Sequence, residues 1–329
     1  KKRNVQEPEQ LVDDAIAQRM PGPRVVTLQE LLSLDIPVRE FLLAPILREK
    51  ETAMVHAWRG VGKTHFGLEV ALAVASGGTF LGWRAPRPRR VLYIDGEMPA
   101  RTMQERLAAI VGASVCADSF DPSNLKLVCS DLQDASLPNL STAEGQLLLQ
   151  PLVEEADLVV VDSISTLAGF GRENEAESWL PMQAWALDLR RCGKSVLLLH
   201  HDGKGGQQRG TSRREDILDV VIGLRHPPDY EPSQGARFEV RFDKARGLHG
   251  DAVAPFEAML TVVDGQAIWA IRQLDDAQLD RAAALFRDGC KPTDVAQELC
   301  VSRATAYRLQ KRLREQGLLT SGSSQMSQP

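Results

Sequence analysis

The stretch "TAMVHAWRGVGKTHFGLEVALAVASGG", residues 52 to 78, constrains the fold more than any other part of the chain. A short, mostly apolar run enters a glycine turn, and an apolar run of helical character leaves it and stops at Gly77-Gly78. Strand, turn and helix in that order fit the phosphate-loop pattern G-x-x-x-x-G-K-[ST], with Ala57 in place of the first glycine. Backbone N–H groups of residues 59 to 64 can converge on phosphate oxygens, and the positive end of the helix adds to the attraction. Arg59, Gly60, Val61, Gly62, Lys63, Thr64 and His65 are therefore the candidate residues for binding ATP. Lys63 would neutralise the β- and γ-phosphates, and the Thr64 hydroxyl would hold Mg²⁺. Alanine suffices at 57 if its φ is negative.

The surrounding pattern predicts an α/β fold with a mostly parallel sheet. Strands are expected at 51–57, 89–98, 125–129, 157–163 and 194–201, each continuously apolar, as in strands covered on both faces. Helices are expected at 64–76, 99–111 and 179–191. Later strands at 217–226, 236–247 and 258–265 are closer to alternating patterns. After Trp269 the pattern changes to helices only. A short helix near 8–20 and a Pro/Gly linker open the chain. The expected layout is an N-terminal helix and linker over 1–26, an ATPase core over 27–272, a small all-α domain over 273–318 and a disordered tail over 319–329.

A phosphate site needs a second anchor for Mg²⁺, an acid at the end of a strand near the loop. "LVVVDS" supplies Asp162. Hydrolysis needs a group to activate water, and "VLYIDGEM" supplies Asp95 and Glu97. Glu97 lies just past its strand, where it can face the γ-phosphate and accept the water proton.

These motifs resemble those of the RecA/DnaB-type hexameric helicases. "AWRGVGKT" is similar to their phosphate loop, where alanine commonly opens the motif, and "VLYIDGEMPARTMQERL" to their next strand and helix, with Glu97-Met98-Pro99 at the step that carries the catalytic glutamate. "LVVVDS" matches their Walker B strand. The likeness is greatest to the RepA-like helicases of plasmids and mobile elements and covers roughly residues 40 to 270. It implies a RecA-like core, a cofactor of ATP with Mg²⁺, and a ring, a hexamer in such proteins, around DNA. It also implies that a late K-x-R, here Lys244 and Arg246 in "FDKARG", reaches the nucleotide of a neighbouring subunit. His200 and His201 close a strand where the family often senses the γ-phosphate. One is expected to sense and the other to pack, with His200 taken as the sensor.

Two segments suit DNA. "GKGGQQRGTSRR" (203–214) carries Lys204, Arg209, Arg213 and Arg214 with no acid, and a loop here would face the channel of a ring and grip single-stranded phosphates. The segment 169–178 is a weaker candidate, with one arginine and three glutamates. The C-terminal helices resemble the helix-turn-helix of resolvases and small regulators, with Ala284, Leu285, Val295, Ala296, Leu299, Val301, Ala306 and Leu309 as the expected core. Cys300 takes the turn. Ser302 would cap the last helix, with Arg303, Thr305 and Arg308 on its exposed side.

The net charge of −5 over 329 residues excludes a general positive coating, so any nucleic-acid surface is local. The five cysteines form no CxxC pair and read as reduced thiols. No apolar run is long enough to span a membrane, and "KKRNVQEPEQ" has no secretory core, so a cytoplasmic location is expected. The sequence thus points to a ring-forming DNA motor. The alternatives are an ATP-controlled DNA-binding regulator or assembly factor that unwinds nothing, and a recombination-type filament.

Overall fold

The computed structural model describes residues 23–113, 120–169, 175–202, 216–263 and 266–319. The helix expected near 8–20, the basic segment 203–214, residues 170–174 and the tail beyond 319 lie outside them. The chain divides into two compact units, Lys1–Val38 and Arg39–Pro329. In the first, α1 (Leu28–Ser33) starts in a capping box, where Thr27 and Glu30 satisfy each other's backbone N–H groups.

The second unit is built on a nine-stranded sheet. Its elements in chain order are β1 (Phe41–Leu43), β2 (Leu47–Arg48), β3 (Thr52–Ala57), α2 (Lys63–Ser76), β4 (Thr79–Phe80), β5 (Trp83–Arg84), β6 (Val91–Asp95), α3 (Ala100–Ala113), β7 (Leu125–Cys129), α4 (Ala143–Glu155), β8 (Leu158–Asp162), α5 (Ile164–Leu167), α6 (Glu175–Arg191), β9 (Ser195–His201), β10 (Val220–Arg225), β11 (Arg237–Ala245), β12 (Phe256–Val263), β13 (Gln266–Gln273), α7 (Leu274–Arg287), α8 (Pro292–Glu298) and α9 (Arg303–Glu315). The large sheet runs β13-β12-β11-β10-β3-β9-β8-β6-β7. From β10 to β7 neighbouring strands are parallel, and β11, β12 and β13 extend the sheet antiparallel.

Alternation along the central strands builds two cores, one on each face. Ala53, Val55 and Ala57 of β3 join Leu197 and Leu199 of β9 under α2, while Met54, Val196 and Leu198 face Trp179, Met182 and Trp185 of α6. A strand buried on both faces needs apolar residues at every position, which explains the continuous runs in the sequence.

The end of the sheet departs from expectation. Residues 266–273 form β13, paired antiparallel with β12 from Val263↔Gln266 to Phe256↔Gln273. Trp269 belongs to that strand and packs against Phe238, Phe80 and His65. Helices alone begin only at Leu274.

The helices α7, α8 and α9 form a small bundle around Leu279, Ala282, Ala283, Val295, Ala296, Leu299, Ala306, Leu309 and Leu313, with Leu285 and Val301 packed beside them. Ala284 is exposed, contrary to expectation, because α7 turns Ala282 and Ala283 inward. Cys300 adopts a left-handed φ of 51° in the turn before α9. The bundle is tied to the sheet by charge. Arg281 of α7 meets Asp229 at 2.8 Å, Glu239 at 3.4 Å and also Glu257, while Arg237 bonds Glu257 at 2.9 Å and Asp229 at 3.0 Å. Glu239 and Glu257 are buried, so removing one cation leaves charge without full compensation. Arg281→Met is expected to lower the unfolding free energy by about 2–4 kcal/mol, read from urea denaturation followed by circular dichroism. Unchanged stability would show that Arg237, together with Arg241, which lies 2.8 Å from Glu239, suffices.

Candidate functional site

Ala57 is the last residue of β3 and is fully buried. It is not among the residues of positive φ, so the left-handed freedom of glycine is not needed there. Gly60 (φ 85°) and Gly62 (φ 117°) do require it. At Gly62 a side chain would also crowd Phe238, whose ring lies 3.3 Å from the ideal Cβ position. The turn therefore delivers Lys63 as the first residue of α2.

Lys63 does not point into solvent. Its Nζ donates to Asp162 Oδ1 at 2.9 Å, and both side chains are almost completely buried. The Tyr93 hydroxyl donates to the other Asp162 oxygen at 2.8 Å. An incoming phosphate would compete with Asp162 for the Lys63 ammonium.

Beside them opens a cleft of about 660 Å³ lined by Trp58, Arg59, Gly60, Gly62, Lys63 and Thr64 from the loop side. Glu97, Met98, Pro99, Thr102, Arg106, Thr166 and His201 line the other side. Val61 is buried and His65 packs on Trp269 with Nε2 3.4 Å from Glu69, so neither side chain lines the cleft. For these two residues only the backbone remains available to phosphate.

The two candidate acids are separated by their environments. Asp95 is buried, its Oδ2 accepting the Met98 N–H at 2.8 Å. Burial pushes its carboxyl up to about 6, with the Met98 bond opposing and Asp162, its register partner on β8, adding to the rise. Glu97 reaches the cleft. His201 Nε2 lies 3.1 Å from Glu97 Oε1, and the Ser163 hydroxyl donates to the same oxygen at 2.5 Å. The His201 bond holds Glu97 down to about 2, burial opposing and Ser163 assisting. Glu97 is thus ionised in the resting site but strongly engaged, and a base acts better once such a partner lets go.

The histidine expected as sensor is corrected here. His201, not His200, lines the cleft and touches Glu97. His201 shares the parity of Leu197 and Leu199 on the α2 face, and His200 shares that of Val196 and Leu198 on the other. Sequence reading also missed Trp58, Thr102 and Arg106. The spacing of Pro99, Thr102 and Arg106 (i, i+3, i+7) marks one helical face and was the available signal.

The residues fit Mg²⁺. Thr64 and Asp162 offer hard oxygen ligands, and Asp95 Oδ1 is buried with no hydrogen-bond partner next to Asp162. Thr64 and Asp162 would hold the ion, whose charge would be shared with phosphate oxygens.

Lys244 and Arg246 are not part of this cleft. Ala245 pairs with Val220, and Val220 with Ala53, near the start of β3. Arg246 donates from its backbone to Asp219 O at 2.8 Å and from its side chain to Asp219 Oδ1 at 3.2 Å. The phosphate loop begins at the far end of β3, roughly 16 Å away along the strand. Of the residues expected from the sequence to meet a duplex, Ser302 caps α9 by accepting the Thr305 N–H at 3.1 Å. Arg303 and Arg308 are exposed, and Thr305 is half-buried. Lys204, Arg209, Arg213 and Arg214 lie outside the described residues.

A mostly parallel sheet with a glycine loop, a buried lysine–aspartate pair and a glutamate in the adjoining cleft defines a P-loop ATPase with a RecA-like core. Residues 17–207 match the AAA domain family, more than half of the chain, and the chain belongs to that family. ATP with Mg²⁺ is the ligand pair typical of it, and ATP hydrolysis its activity. A KaiC-like protein from the hyperthermophilic archaeon Pyrococcus horikoshii OT3 is similar over 70% of this chain and 93% of its own, with 16% identity and a TM-score of 0.48. The flagellar accessory protein FlaH from Methanocaldococcus jannaschii is similar over 68% of this chain and 91% of its own, with 10% identity and a TM-score of 0.43. No helix among the described residues is long and apolar enough to cross a membrane.

Two substitutions test the division of labour between the acids. Glu97→Gln should leave ATP binding intact and reduce turnover by about 10²–10⁴-fold, measured by phosphate release; wild-type turnover would remove Glu97 as the base. Asp95→Asn can keep the Met98 bond but carries no charge. The folded Asp95 carboxyl is protonated near pH 6 and an unfolded one near 3.8, so its ionisation costs stability at neutral pH and costs nothing below both values. The variant should gain on the order of 1–2 kcal/mol at pH 7.5 and nothing near pH 3.5, read from melting curves at both pH values.

Proposed function

We propose that this protein is an ATP-controlled DNA-binding assembly factor. It binds and hydrolyses ATP with Mg²⁺, uses the nucleotide to set its association with further copies of itself, and holds duplex DNA through a helix-turn-helix formed by α7, α8 and α9. The observation that carries the reading is the separation of charges along the sheet. Lys63, Thr64, Glu97 and His201 share one cleft, while Arg246 sits at the opposite end of β3. An arginine there can stabilise developing charge on a phosphate only if another copy presents that phosphate. A free subunit then turns over slowly, and assembly becomes the controlled step. Support for the duplex comes from α9, whose capped N-terminus and exposed Arg303 and Arg308 suit a major groove.

A second reading, a hexameric RepA- or DnaB-like motor on single-stranded DNA, has its own support. The segment holding Lys204, Arg209, Arg213 and Arg214 leaves β9 directly after His201 and Asp202, next to the residue that touches Glu97. Both readings share the ATP site, so DNA decides between them. The assembly-factor reading expects tight binding to a duplex site, weak stimulation of ATPase by single strands and no strand displacement on a forked substrate. Strong stimulation with ATP-driven displacement would transfer the assignment to the motor.

Arg246 has a separate test. Lys63→Ala and Arg246→Ala should each be nearly inactive alone. Mixed oligomers should recover part of the ATPase, because some interfaces then join an intact loop to an intact arginine. Mixed oligomers with no recovery would eliminate a role for Arg246 between copies.

A further inference from the structure

The cleft leaves a buried histidine unexplained. His56 is the penultimate residue of β3, only 4% exposed, and bound at both ring nitrogens. Its Nδ1 lies 2.7 Å from Asp202 Oδ1 and its Nε2 2.7 Å from Asp243 Oδ2. Two carboxylates on one imidazole call for two N–H donors, which only the charged ring has. Burial works against that charge, yet the two aspartates overcome it and raise His56 to about 9. The bond to His56 in turn lowers the carboxyl of Asp243, against burial, with Arg225 and Arg241 assisting from β10 and β11. His200 is the register partner of His56 on β9.

The backbone is shaped around this group. The pairing of β10 with β11 slips between Val221↔Lys244 and Ile222↔Phe242, which leaves Asp243 as an extra residue in a bulge. A bulge re-aims a side chain, here toward β3 across β10. Between them stands Gly223, the register partner of His56. A Cβ there would come within 3.1 Å of both His56 Nε2 and Asp243 Oδ2, so a larger residue would obstruct the contact. On the other side, the Asp202 N–H donates to Ala57 O at 2.9 Å, at the threshold of the phosphate loop.

The three joined segments each lead somewhere. Asp202 follows His201, which touches Glu97. His56 precedes Ala57 and the loop. Asp243 precedes Lys244 and Arg246. We propose that His56 is a positioning residue that clamps β9, β3 and β11 together through Asp202 and Asp243, so that nucleotide binding in the cleft is felt along the strand leading to Arg246. It touches no substrate and acts through its two partners. The inference rests on the reading of the cleft as an ATP site, but not on which DNA, if any, the protein holds.

The test compares the full-length wild type with His56→Gln, and with His56→Gln/Asp243→Asn, which relieves the repulsion left between the aspartates if the single variant folds poorly. Hydrogen exchange is followed with and without a non-hydrolysable ATP analogue and Mg²⁺, alongside steady-state ATPase from pH 6 to 10. In the wild type, the analogue should slow exchange in residues 57–64 and also in 237–245. In both variants the slowing should persist at 57–64 and fall at least several-fold at 237–245. Turnover should drop about tenfold with KM for ATP changed less than about twofold. Its decline as pH rises through about 9 in the wild type should be absent from the variants. Equal slowing at 237–245 in wild type and folded variants, or wild-type turnover in the double variant, would overturn the clamp. Failure of the wild type to bind the analogue at all would instead overturn the ATP-site reading, because the exchange at 57–64 reports binding independently of His56.

Discussion

The Lys63–Asp162 contact is the constraint on which the rest of this architecture depends. Two opposite charges, 99 positions apart in sequence, meet at 2.9 Å with hardly any access to water. Such a pair is tolerable only if its geometry is good and the remaining oxygen is satisfied, which Tyr93 achieves. To bring these residues together the chain must place β9 between β3 and β8, bury all three strands on both faces, and end them at a common level. The helix that follows the loop then has one face it can cover, and the two cores follow from that choice. The pair holds the lysine turned inward against the end of β8.

Glu97 and Asp95 illustrate how a single strand end can produce two very different acids. A single residue, Gly96, separates a carboxyl sealed under Met98 from one that faces the cleft beside His201. The first is pushed toward neutrality by lack of solvent, and the second is pinned as an anion by a partner. His201 and the Ser163 hydroxyl both hold Glu97, so its basicity would rise only as these contacts loosen.

Much of this arrangement was legible in the sequence, for reasons that can be traced to particular residues. The central strands announce themselves because burial on both faces leaves no room for polar positions, and "LKLVC" gave the bounds of β7 as found. The phosphate loop was legible because Gly62, Lys63 and Thr64 have few substitutes. β13 was not, because its two-residue connection to β12 left no long break and its Trp269 packs inward over the end of the sheet. The choice between His200 and His201 could have been made from parity, since residues two apart along β9 share a face with those of β3. Arg281 was out of reach, as nothing local signals that an arginine in a small helical bundle will be buried against Glu239 and Glu257.

That last contact alters how the bundle relates to the sheet. Gln273 ends β13 and Leu274 begins α7 with no residue between them, and the arginine fastens the helix a further two turns along. A tether would let α9 search a volume, with an effective concentration set by linker length. Here the helix is a fixed arm on the sheet. On the helix-turn-helix reading proposed above, a duplex on α9 would be held at one distance and one angle from the strands beside it, and in an assembly of copies the interval between successive contacts would be dictated by the subunit itself, as teeth are spaced by the body of a gear.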